Sequence, residues 1–487
     1  MTIRIPPASP PTTRPLPPGP RGVAGVRAAF GLARDPKFYP AQLVARYGDV
    51  IRLPVPFLPV VFVNHPEHLT HVDVTAADHY RRAPRNAENM RVQGSPYHAS
   101  FFDPDDAEWK RGRTLLHPHF TQKNLVELGA RFTDVITQEV AGWASAARNG
   151  ETLDLAPLLQ DLALAVVYNA MFSRRIAPEV MVKLRRALDE RMAATAVRSV
   201  TSWLPTWVPR PLQRRGARAD AWLDGHLAEV VAERRANPPP GTDLLTVLLG
   251  ARYDDGEPVG EAKTRTEMLF LVIGGHETTA AALAWTFALL AVHPEITDRL
   301  RDEVDMLGRR PVTTADMPRL RFARACFDEA QRLQGGLVFN PKQAVVDDEI
   351  GGFSIPAGTT ILHSNLVLQR DPRFWGPDPE RFRPDRWLQG RIDNAAFQIF
   401  GRGPRMCLGK RMAYIEALLT IATAFQRYHF TTPAGWEPRH HYRMSMTVRG
   451  GVPVHLTPDE PTNCAHVQGP SAASSQRLDT ALSPGSI

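Results

Sequence analysis

The segment FGRGPRMCLG, residues 400–409, restricts the possible folds of this 487-residue chain more than any other stretch. Its three glycines and one proline interrupt helices and strands, so the backbone must turn here. The residues that follow, KRMAYIEALLTIATAF, are typical of a helix. Cys407 therefore stands in a tight loop just before a helix N-terminus, where the helix dipole favours a thiolate.

This loop suits the binding of an iron porphyrin. A cysteine thiolate donates strongly to haem iron and favours cleavage of the O–O bond. Gly401 and its neighbouring glycines would let the backbone approach a flat macrocycle, and free N–H groups would hydrogen-bond the sulfur. Phe400 can shield the sulfur from water, and Arg405 can pair with a haem propionate. The alternative is a glycine-rich turn around a buried cysteine, but chance would produce this pattern with odds on the order of 10⁻⁵.

The segment resembles the haem-binding signature of the cytochrome P-450 family, Phe-Gly-x-Gly-x-Arg-x-Cys-x-Gly. The resemblance implies a mainly α-helical fold with a small β-sheet region, in which haem b lies between a long distal helix and the cysteine loop. It implies that Cys407 is the axial ligand of the haem iron. It also implies a monooxygenase of the soluble bacterial type.

Two weaker motifs stand upstream in the order that the family shows. The resemblance implies that Glu329 and Arg332, three apart on one helix, form a buried triad with Arg386 of FRPDRW; alone, this pair would be read equally well as a surface bridge. It also implies that Trp109 and Arg113 of EWKRGR contact the haem propionates. An amphipathic helix with an exposed basic face is the alternative for that stretch.

The distal helix is predicted around GGHETT, residues 274–279, which resembles the family's oxygen-binding motif. Thr278 can return its hydroxyl to the carbonyl of Gly274, four residues earlier, and the glycine pair favours a local kink. The resulting groove could hold oxygen and ordered water, with Thr278 as a hydrogen-bonding group and Glu277 as a proton relay. A simple packing contact between close helices is the alternative.

Two departures from the family pattern concern the pocket. The proline expected within three residues of Arg332 is replaced by Gly335 and Gly336, and the next proline is Pro341. Where many members carry a propionate-binding arginine, Lys342 is the nearest basic residue, and a lysine contacts a carboxylate without the bidentate fork of arginine.

By position, the resemblance implies a mostly apolar pocket, which would hold a terpenoid, polyketide or fatty acid by shape. The same residues would serve as ordinary core if this placement were wrong. Its predicted lining is Phe101, Phe102, Phe270, Gly274, Leu337, Val338 and Met446.

The remaining sequence predicts one catalytic domain over residues 23–456, preceded by a proline-rich arm (1–22) and followed by a tail without a packed core (457–487). Long helices are predicted at about 217–236, 261–292, 295–307 and 319–333, with a small, mostly N-terminal sheet. No apolar stretch reaches the roughly 20 residues that a membrane span needs, so no transmembrane anchor is expected.

Composition narrows the function classes. Three cysteines without paired spacing suit a reducing compartment, so we expect a cytoplasmic protein. The net charge of +7 comes without basic runs or RNA-binding motifs, so we expect no nucleic-acid partner. The chain lacks flavin, nucleotide and iron–sulfur motifs, so we expect it to take NAD(P)H-derived electrons from a ferredoxin or flavodoxin with its reductase. We also expect a monomer. The predicted docking face for that partner is basic and consists of Lys110, Arg111, Arg402, Lys410 and Arg411.

Two alternatives remain open on sequence. One is an oxidative-coupling or peroxide-using enzyme of the same fold. The other, of a different class, is a haem-binding protein without turnover. Glu277 and Thr278 argue against the second, because haem binding alone needs no proton relay.

Overall fold

The computed structural model describes residues 14–35, 39–55, 58–201, 208–238, 243–336, 339–390, 392, 395–442 and 445–459. The helices are α1 (Gly22–Arg34), α2 (Tyr39–Tyr47), α3 (Pro66–Thr70), α4 (Pro84–Met90), α5 (Asp106–Leu116), α6 (Gln122–Ala141), α7 (Ala144–Asn149), α8 (Leu155–Phe172), α9 (Pro178–Val200), α10 (Gln213–Ala236), α11 (Leu244–Gly250), α12 (Glu261–Ala291), α13 (Pro294–Asp305), α14 (Arg321–Gln334), α15 (Asn365–Leu368), α16 (Pro372–Trp375), α17 (Arg386–Gln389) and α18 (Lys410–Phe425). The strands are β1 (Val50–Leu53), β2 (Val60–Val63), β3 (Tyr80–Arg82), β4 (Thr152–Asp154), β5 (Lys342–Ala344), β6 (Asp348–Ile350), β7 (Phe353–Ile355), β8 (Thr360–Leu362), β9 (Tyr428–Thr431), β10 (His440–Tyr442), β11 (Met446–Val448) and β12 (Pro453–Pro458).

The helices surround one long interior helix, α12. It packs against α8, α10 and α14, and it also contacts β11 and α18. Its buried residues include Trp285 and Phe287, which belong to the main hydrophobic core. Burial on several sides explains why the sequence of α12 is apolar around much of its circumference.

The largest sheet joins distant parts of the chain. Its strand order is β1-β2-β8-β5-β3, and the β2–β8 pair is parallel while the other pairs are antiparallel. Smaller sheets are formed by β4, β12 and β9, by β10 and β11, and by β6 and β7. The prediction of a mainly α-helical fold is confirmed. The prediction of a mostly N-terminal sheet is wrong in part, because β5 and β8 of the largest sheet come from residues 342–362.

The predicted long helices are present with small shifts at their ends. The helix expected from residue 217 begins four residues earlier, at Gln213, and the distal helix ends at Ala291. Helix α13 begins at Pro294, whose ring favours the first helical turn. Helix α14 begins at Arg321 and ends at Gln334.

Two helices are long and apolar enough to cross a membrane by length and composition, contrary to the sequence-based expectation. They are Leu155–Phe172 and Glu261–Ala291, and 61% and 67% of the most apolar 18-residue window of each is buried inside the protein. Their apolar surfaces are thus largely taken up by neighbouring helices, which is the behaviour of core helices.

The end of the predicted proline-rich arm packs on β1 of the largest sheet and on β7 of a separate two-stranded sheet. The N–H of Arg52 donates to the carbonyl of Pro18 (2.8 Å), and the N–H of Ser354 donates to that of Pro15 (3.0 Å). Residues 14–20 therefore cover the edge strand β1, whereas residues 1–13 of the arm and 460–487 of the tail lie outside the described residues.

Candidate active site

The cysteine loop is closed by backbone geometry that requires glycine. Gly401 and Gly403 both have φ of +66°, in the left-handed region. A Cβ on Gly403 would stand 1.8 Å from the carbonyl oxygen of Asp73. The N–H of Cys407 donates to the carbonyl of Phe400 (2.8 Å), so the loop returns on itself directly before α18. The predicted tight turn is therefore present.

The Cys407 sulfur points to a site where backbone donors converge. The N–H groups of Gly409 and Lys410 donate to it, and the guanidinium of Arg113 lies near enough to favour its anionic form. Burial by surrounding protein atoms raises the pKa of the thiol, and these donors and charges oppose that rise. The residue is nevertheless exposed on one side. A thiolate held in this way can ligate a metal that approaches from the open side.

Phe400, at the start of the cysteine loop, packs against residues near the N-terminal end of α18. Its ring centroid lies 5.4 Å from that of Tyr414, and the Lys410 ammonium lies 5.7 Å from the Phe400 ring. The hydroxyl of Tyr414 donates to Asp328 (2.6 Å), and burial raises the pKa of that carboxyl to about 6. Phe400 is thus held by an aromatic and charged network on the same side of the loop.

A set of cations surrounds the predicted propionate site. The guanidinium of Arg405 stacks 4.5 Å from the ring of the buried Trp109 and pairs with Asp106 (2.6 Å). Arg113 donates to the carbonyl of Met406 (3.0 Å), and burial lowers the pKa of Arg113. The structure therefore brings together Trp109 and Arg113 of α5 and Arg405 of the cysteine loop.

Arg82 belongs to this set, although the sequence interpretation missed it. Burial and the charge of Arg405 lower the pKa of Arg82 to about 10. Its Nε has no hydrogen-bond partner among the described residues, and its guanidinium lies 4.7 Å from the Phe102 ring. The signal in the sequence was its period-two relation to Tyr80, which is buried at the start of the same strand.

Lys342 has a different environment from the one expected. Its ammonium forms an ion pair with the buried Asp73 and donates to the carbonyl of Val72 (3.4 Å). Lys342 is paired with Arg82 in the β3–β5 register, so it lies next to the cationic set but is already engaged by a carboxylate.

The GGHETT motif lies within α12 as predicted, and the helix continues through it. The hydroxyl of Thr278 donates to the carbonyl of Gly274 (2.7 Å). Both residues are exposed, and a Cβ added to Gly274 would meet no atom within 4 Å. A Cβ on Gly275 would instead stand 2.7 Å from Cγ2 of Val167 in α8. The two glycines thus have different structural roles. Gly274 borders open space, and Gly275 allows α12 to pack closely against α8.

Glu277 lies on another face of α12, beside a cleft of about 370 Å³ between α8, α9, α12 and the β4 and β11 regions. His276 is buried on this side, and burial lowers its pKa to about 4, so its ring is neutral at pH 7. The cleft is also lined by other polar residues, namely Asp154, Gln160, Asp189, His441 and Arg449. Glu277 is therefore adjacent to Thr278 on the helix and has access to a polar cleft.

The predicted triad forms a buried ion cluster. Arg332 donates from Nε and Nη2 to the two carboxylate oxygens of Glu329 (2.8 Å each), and Arg386 donates from Nε to Oε1 (3.3 Å). Glu329 and Arg332 have no exposed side-chain surface. Trp387 adds an N–H bond to Glu329 (2.9 Å) that the sequence interpretation did not include. The structure therefore brings the three predicted residues together.

The residues predicted to line the substrate pocket lie in different surroundings. Phe101, Phe102 and Phe270 form an aromatic cluster with centroid distances of 4.8, 5.5 and 6.0 Å. Phe270 is buried in the main core, whereas Phe101 and Phe102 are half-buried at its edge. Met446 is buried against Leu366 in a small separate cluster. Leu337 and Val338 lie outside the described residues.

The predicted basic docking face is less uniform than expected. Arg111 pairs with Glu108 (3.0 Å), Asp255 (2.8 Å) and Glu257 (3.5 Å), so its charge is compensated locally. Arg402 donates to the Thr70 hydroxyl (2.8 Å). Lys110, Lys410 and Arg411 complete the predicted face, and Lys110 and Arg411 are exposed.

The residues present fit a haem group. Cys407 supplies a thiolate with two N–H donors and an open side. Gly274 of α12 borders open space, and the partnerless Nε of Arg82 lies in a cationic region that an anionic propionate would complement. These features together match a thiolate-ligated porphyrin better than an isolated metal ion, and the described residues contain no cluster of three or more His, Cys, Asp or Glu suited to one.

Comparisons with known proteins find one family model and several relatives that carry the name of that family or of an oxygenase. The family model described as cytochrome P-450 matches residues 17–457. Putative cytochrome P-450 132 of Mycobacterium tuberculosis is 30% identical over 429 residues, which are 84% of this chain and 90% of that protein. Cyclooctat-9-en-7-ol 5-monooxygenase of Streptomyces melanosporofaciens is 30% identical over 332 residues, 66% of this chain and 71% of that protein. Pentalenene oxygenase of Streptomyces avermitilis is 28% identical over 422 residues, 85% of this chain and 90% of that protein.

Proposed function

Because the chain belongs to the cytochrome P-450 family and is a haem monooxygenase by that membership, we propose that it oxygenates a hydrophobic, terpenoid-like small molecule. The reaction would hydroxylate or epoxidise the substrate with one atom of O2. Electrons from NAD(P)H would arrive through a ferredoxin or flavodoxin and its reductase. We propose a monomeric enzyme that works in the cytoplasm.

The observation that carries the reaction type is the pairing of two sites on this chain. The Cys407 sulfur accepts N–H bonds from Gly409 and Lys410 and is open on one side. The Thr278 hydroxyl and Gly274 border open space on the interior helix α12. A thiolate ligand favours cleavage of the O–O bond, and a positioned hydroxyl can take part in the proton transfer that this cleavage needs.

The substrate class rests on a second set of observations. The half-buried Phe101 and Phe102 present aromatic surface next to the cationic set, with Phe270 buried behind them, and an apolar lining selects mainly by shape. Two relatives are named for oxygenating pentalenene and cyclooctat-9-en-7-ol, both terpenoids. Polyketides and fatty acids remain within the same class of apolar ligand and belong in the test.

In the proposed mechanism, bound haem supplies the iron that activates O2. Cys407 would hold that iron as a thiolate, and the N–H groups of Gly409 and Lys410, which donate to the sulfur, would keep it oriented. Arg405, Arg113 and Arg82 would fix the propionates by charge. These residues set the orientation of the group without taking part in proton transfer.

Proton delivery is assigned to α12. The Thr278 hydroxyl donates to the Gly274 carbonyl, so its oxygen can accept a hydrogen bond from a proton-donating water on the exposed side of α12. Glu277, one residue earlier, borders the polar cleft and can exchange protons with water there. The pair would move protons from the cleft to the oxygen-binding side of the helix.

The test begins with haem-loaded protein and a panel of terpenoids, macrolides and fatty acids. We expect terpenoids to shift the haem absorption spectrum and to yield a product that contains one oxygen atom from O2. Product per NAD(P)H consumed is then compared in wild type and Thr278→Ala. The variant should consume NAD(P)H but release most electrons as peroxide, whereas Thr279→Ala should couple more nearly as wild type does.

The outcomes separate the alternatives. Equal coupling in wild type and Thr278→Ala would remove this hydroxyl from the proton path and favour coupling or peroxide chemistry. Spectral shifts without oxidised product from any panel member, with active redox partners, would favour a haem-binding protein without turnover.

A further inference from the structure

The N-terminal helix α1 exposes three large apolar side chains to solvent, although a helix that only packs on a core would bury them. Val23, Val26 and Phe30 are 72%, 59% and 73% exposed. At about 100° per residue they lie within about 60° of arc, so they form one stripe. A contiguous exposed apolar stripe marks an interaction surface more often than single exposed residues do.

The inward side of α1 carries small residues and Leu32, which packs on the core cluster that contains Ala28. Ala28 is fully buried, and Gly25 would place a Cβ 3.2 Å from the side chain of Pro54. Gly25 and Ala28 lie on the helix face away from the stripe, at about 130° and 170° from its centre. Packing on the fold is therefore satisfied without the three large apolar side chains, which contribute nothing to the core.

The charges around the stripe have one sign. Arg27 and Arg34 project near its edge, and Arg21 precedes the helix; all three are exposed. Helix α1 contains no acidic residue, and no ion pair occupies these three arginines in the described part of the chain. Arg14 differs, because it pairs with Glu349. A partner of this stripe would meet apolar surface bordered by uncompensated positive charge.

We propose that α1 is a docking element for an anionic lipid bilayer, lying in the plane of the interface with the stripe formed by Val23, Val26 and Phe30 turned toward the acyl chains. An amphipathic helix with basic residues beside its apolar face binds such surfaces by burying apolar area and by attracting anionic headgroups. The long arginine side chains can reach the headgroups while their methylene stems cover the apolar boundary. The contact is peripheral and reversible, because the helix is short and remains packed on the fold. It depends on α1 and is independent of the proposed substrate.

The experiment uses the full-length, haem-loaded protein and sedimentable vesicles of phosphatidylcholine, with or without an equal part of phosphatidylglycerol. We expect wild type to sediment with the anionic vesicles and to be released by salt. The double variant Val26→Asp/Phe30→Asp should bind at least about tenfold less, and Arg27→Gln/Arg34→Gln should lose the preference for anionic vesicles. An unchanged haem spectrum shows that each variant is folded.

Matched controls come from apolar residues exposed elsewhere. Val182 and Met306 are 60% and 69% exposed, and Val182→Asp and Met306→Asp should bind as wild type does. Equal binding of wild type and the Val26→Asp/Phe30→Asp variant would overturn the proposal, as would no sedimentation of wild type. A concentration-dependent dimer in light scattering that only this double variant abolishes would assign the stripe to a second copy and also overturn it.

Discussion

Replacing Glu329 with Gln should cost most of the stability that the buried ion cluster provides. The Glu329 carboxylate is fully buried and receives two bonds from Arg332 at 2.8 Å, one from Arg386 at 3.3 Å and one from Trp387 at 2.9 Å. A neutral amide would leave the fully buried Arg332 without an anion and Arg386 with only the more distant Asp378 (3.8 Å). Removing one partner from a buried charge pair costs about 3–5 kcal/mol, so we expect a loss of that size.

The assay is denaturant unfolding of the haem-loaded protein, followed by tryptophan fluorescence and by the haem spectrum. Trp387→Phe removes a single bond to Glu329 and should cost about 1–2 kcal/mol, since it leaves the charges paired. Asp385→Asn breaks a half-exposed pair with Arg299 and should cost about 1 kcal/mol or less. A Glu329→Gln loss no larger than that of Asp385→Asn would refute the reasoning, because burial would then add nothing to this cluster.

Three further predictions follow from local geometry and charge. Gly275→Ala should destabilise the protein by about 1–3 kcal/mol, because its Cβ would stand 2.7 Å from a valine of α8. Gly274 borders open space, so Gly274→Ala should instead stabilise the protein by up to about 1 kcal/mol, the usual gain of alanine over glycine inside a helix. Burial raises the pKa of Asp328 to about 6, so the folded state binds the proton of this carboxyl more tightly than the unfolded state does. The free energy of unfolding should therefore fall by roughly 2–3 kcal/mol as pH rises through about 6. Unfolding titrations of Asp328→Asn should lack this component. The variant Lys410→Glu/Arg411→Glu should associate about tenfold more slowly with an acidic ferredoxin at low salt, and the difference from wild type should vanish in stopped-flow measurements at high salt.

The sequence carried most information where local chemistry decides the structure. Pro294 predicted the boundary between α12 and α13, because its ring stops one helix and suits the first turn of the next. The glycines of residues 400–409 predicted the loop before α18, since their backbone conformations admit few other residues. The hydrogen bond from Thr278 to Gly274 followed from helix spacing alone.

Contacts between distant segments could not be read from local patterns. Asp73 forms an ion pair with Lys342, which lies 269 residues later in the sequence, and no periodicity of the sequence predicts such a pair. The period-two relation to Tyr80 hints at the orientation of Arg82, but its place beside Lys342 follows only from the pairing of β3 with β5. The same reason explains the misjudged sheet, because the pairing of β2 with β8 depends on how the chain returns over the fold.

Carbon monoxide binding to the reduced protein tests the central claim most directly. Only a thiolate ligand gives the strongly red-shifted Soret band that distinguishes this family, so we expect that band in wild type. Cys407→Ala should lose it, whereas Cys326→Ala should keep it, because Cys326 is fully buried within α14. Retention of the red-shifted band in Cys407→Ala, or its absence from haem-loaded wild type, would contradict the assignment of Cys407 as the axial ligand.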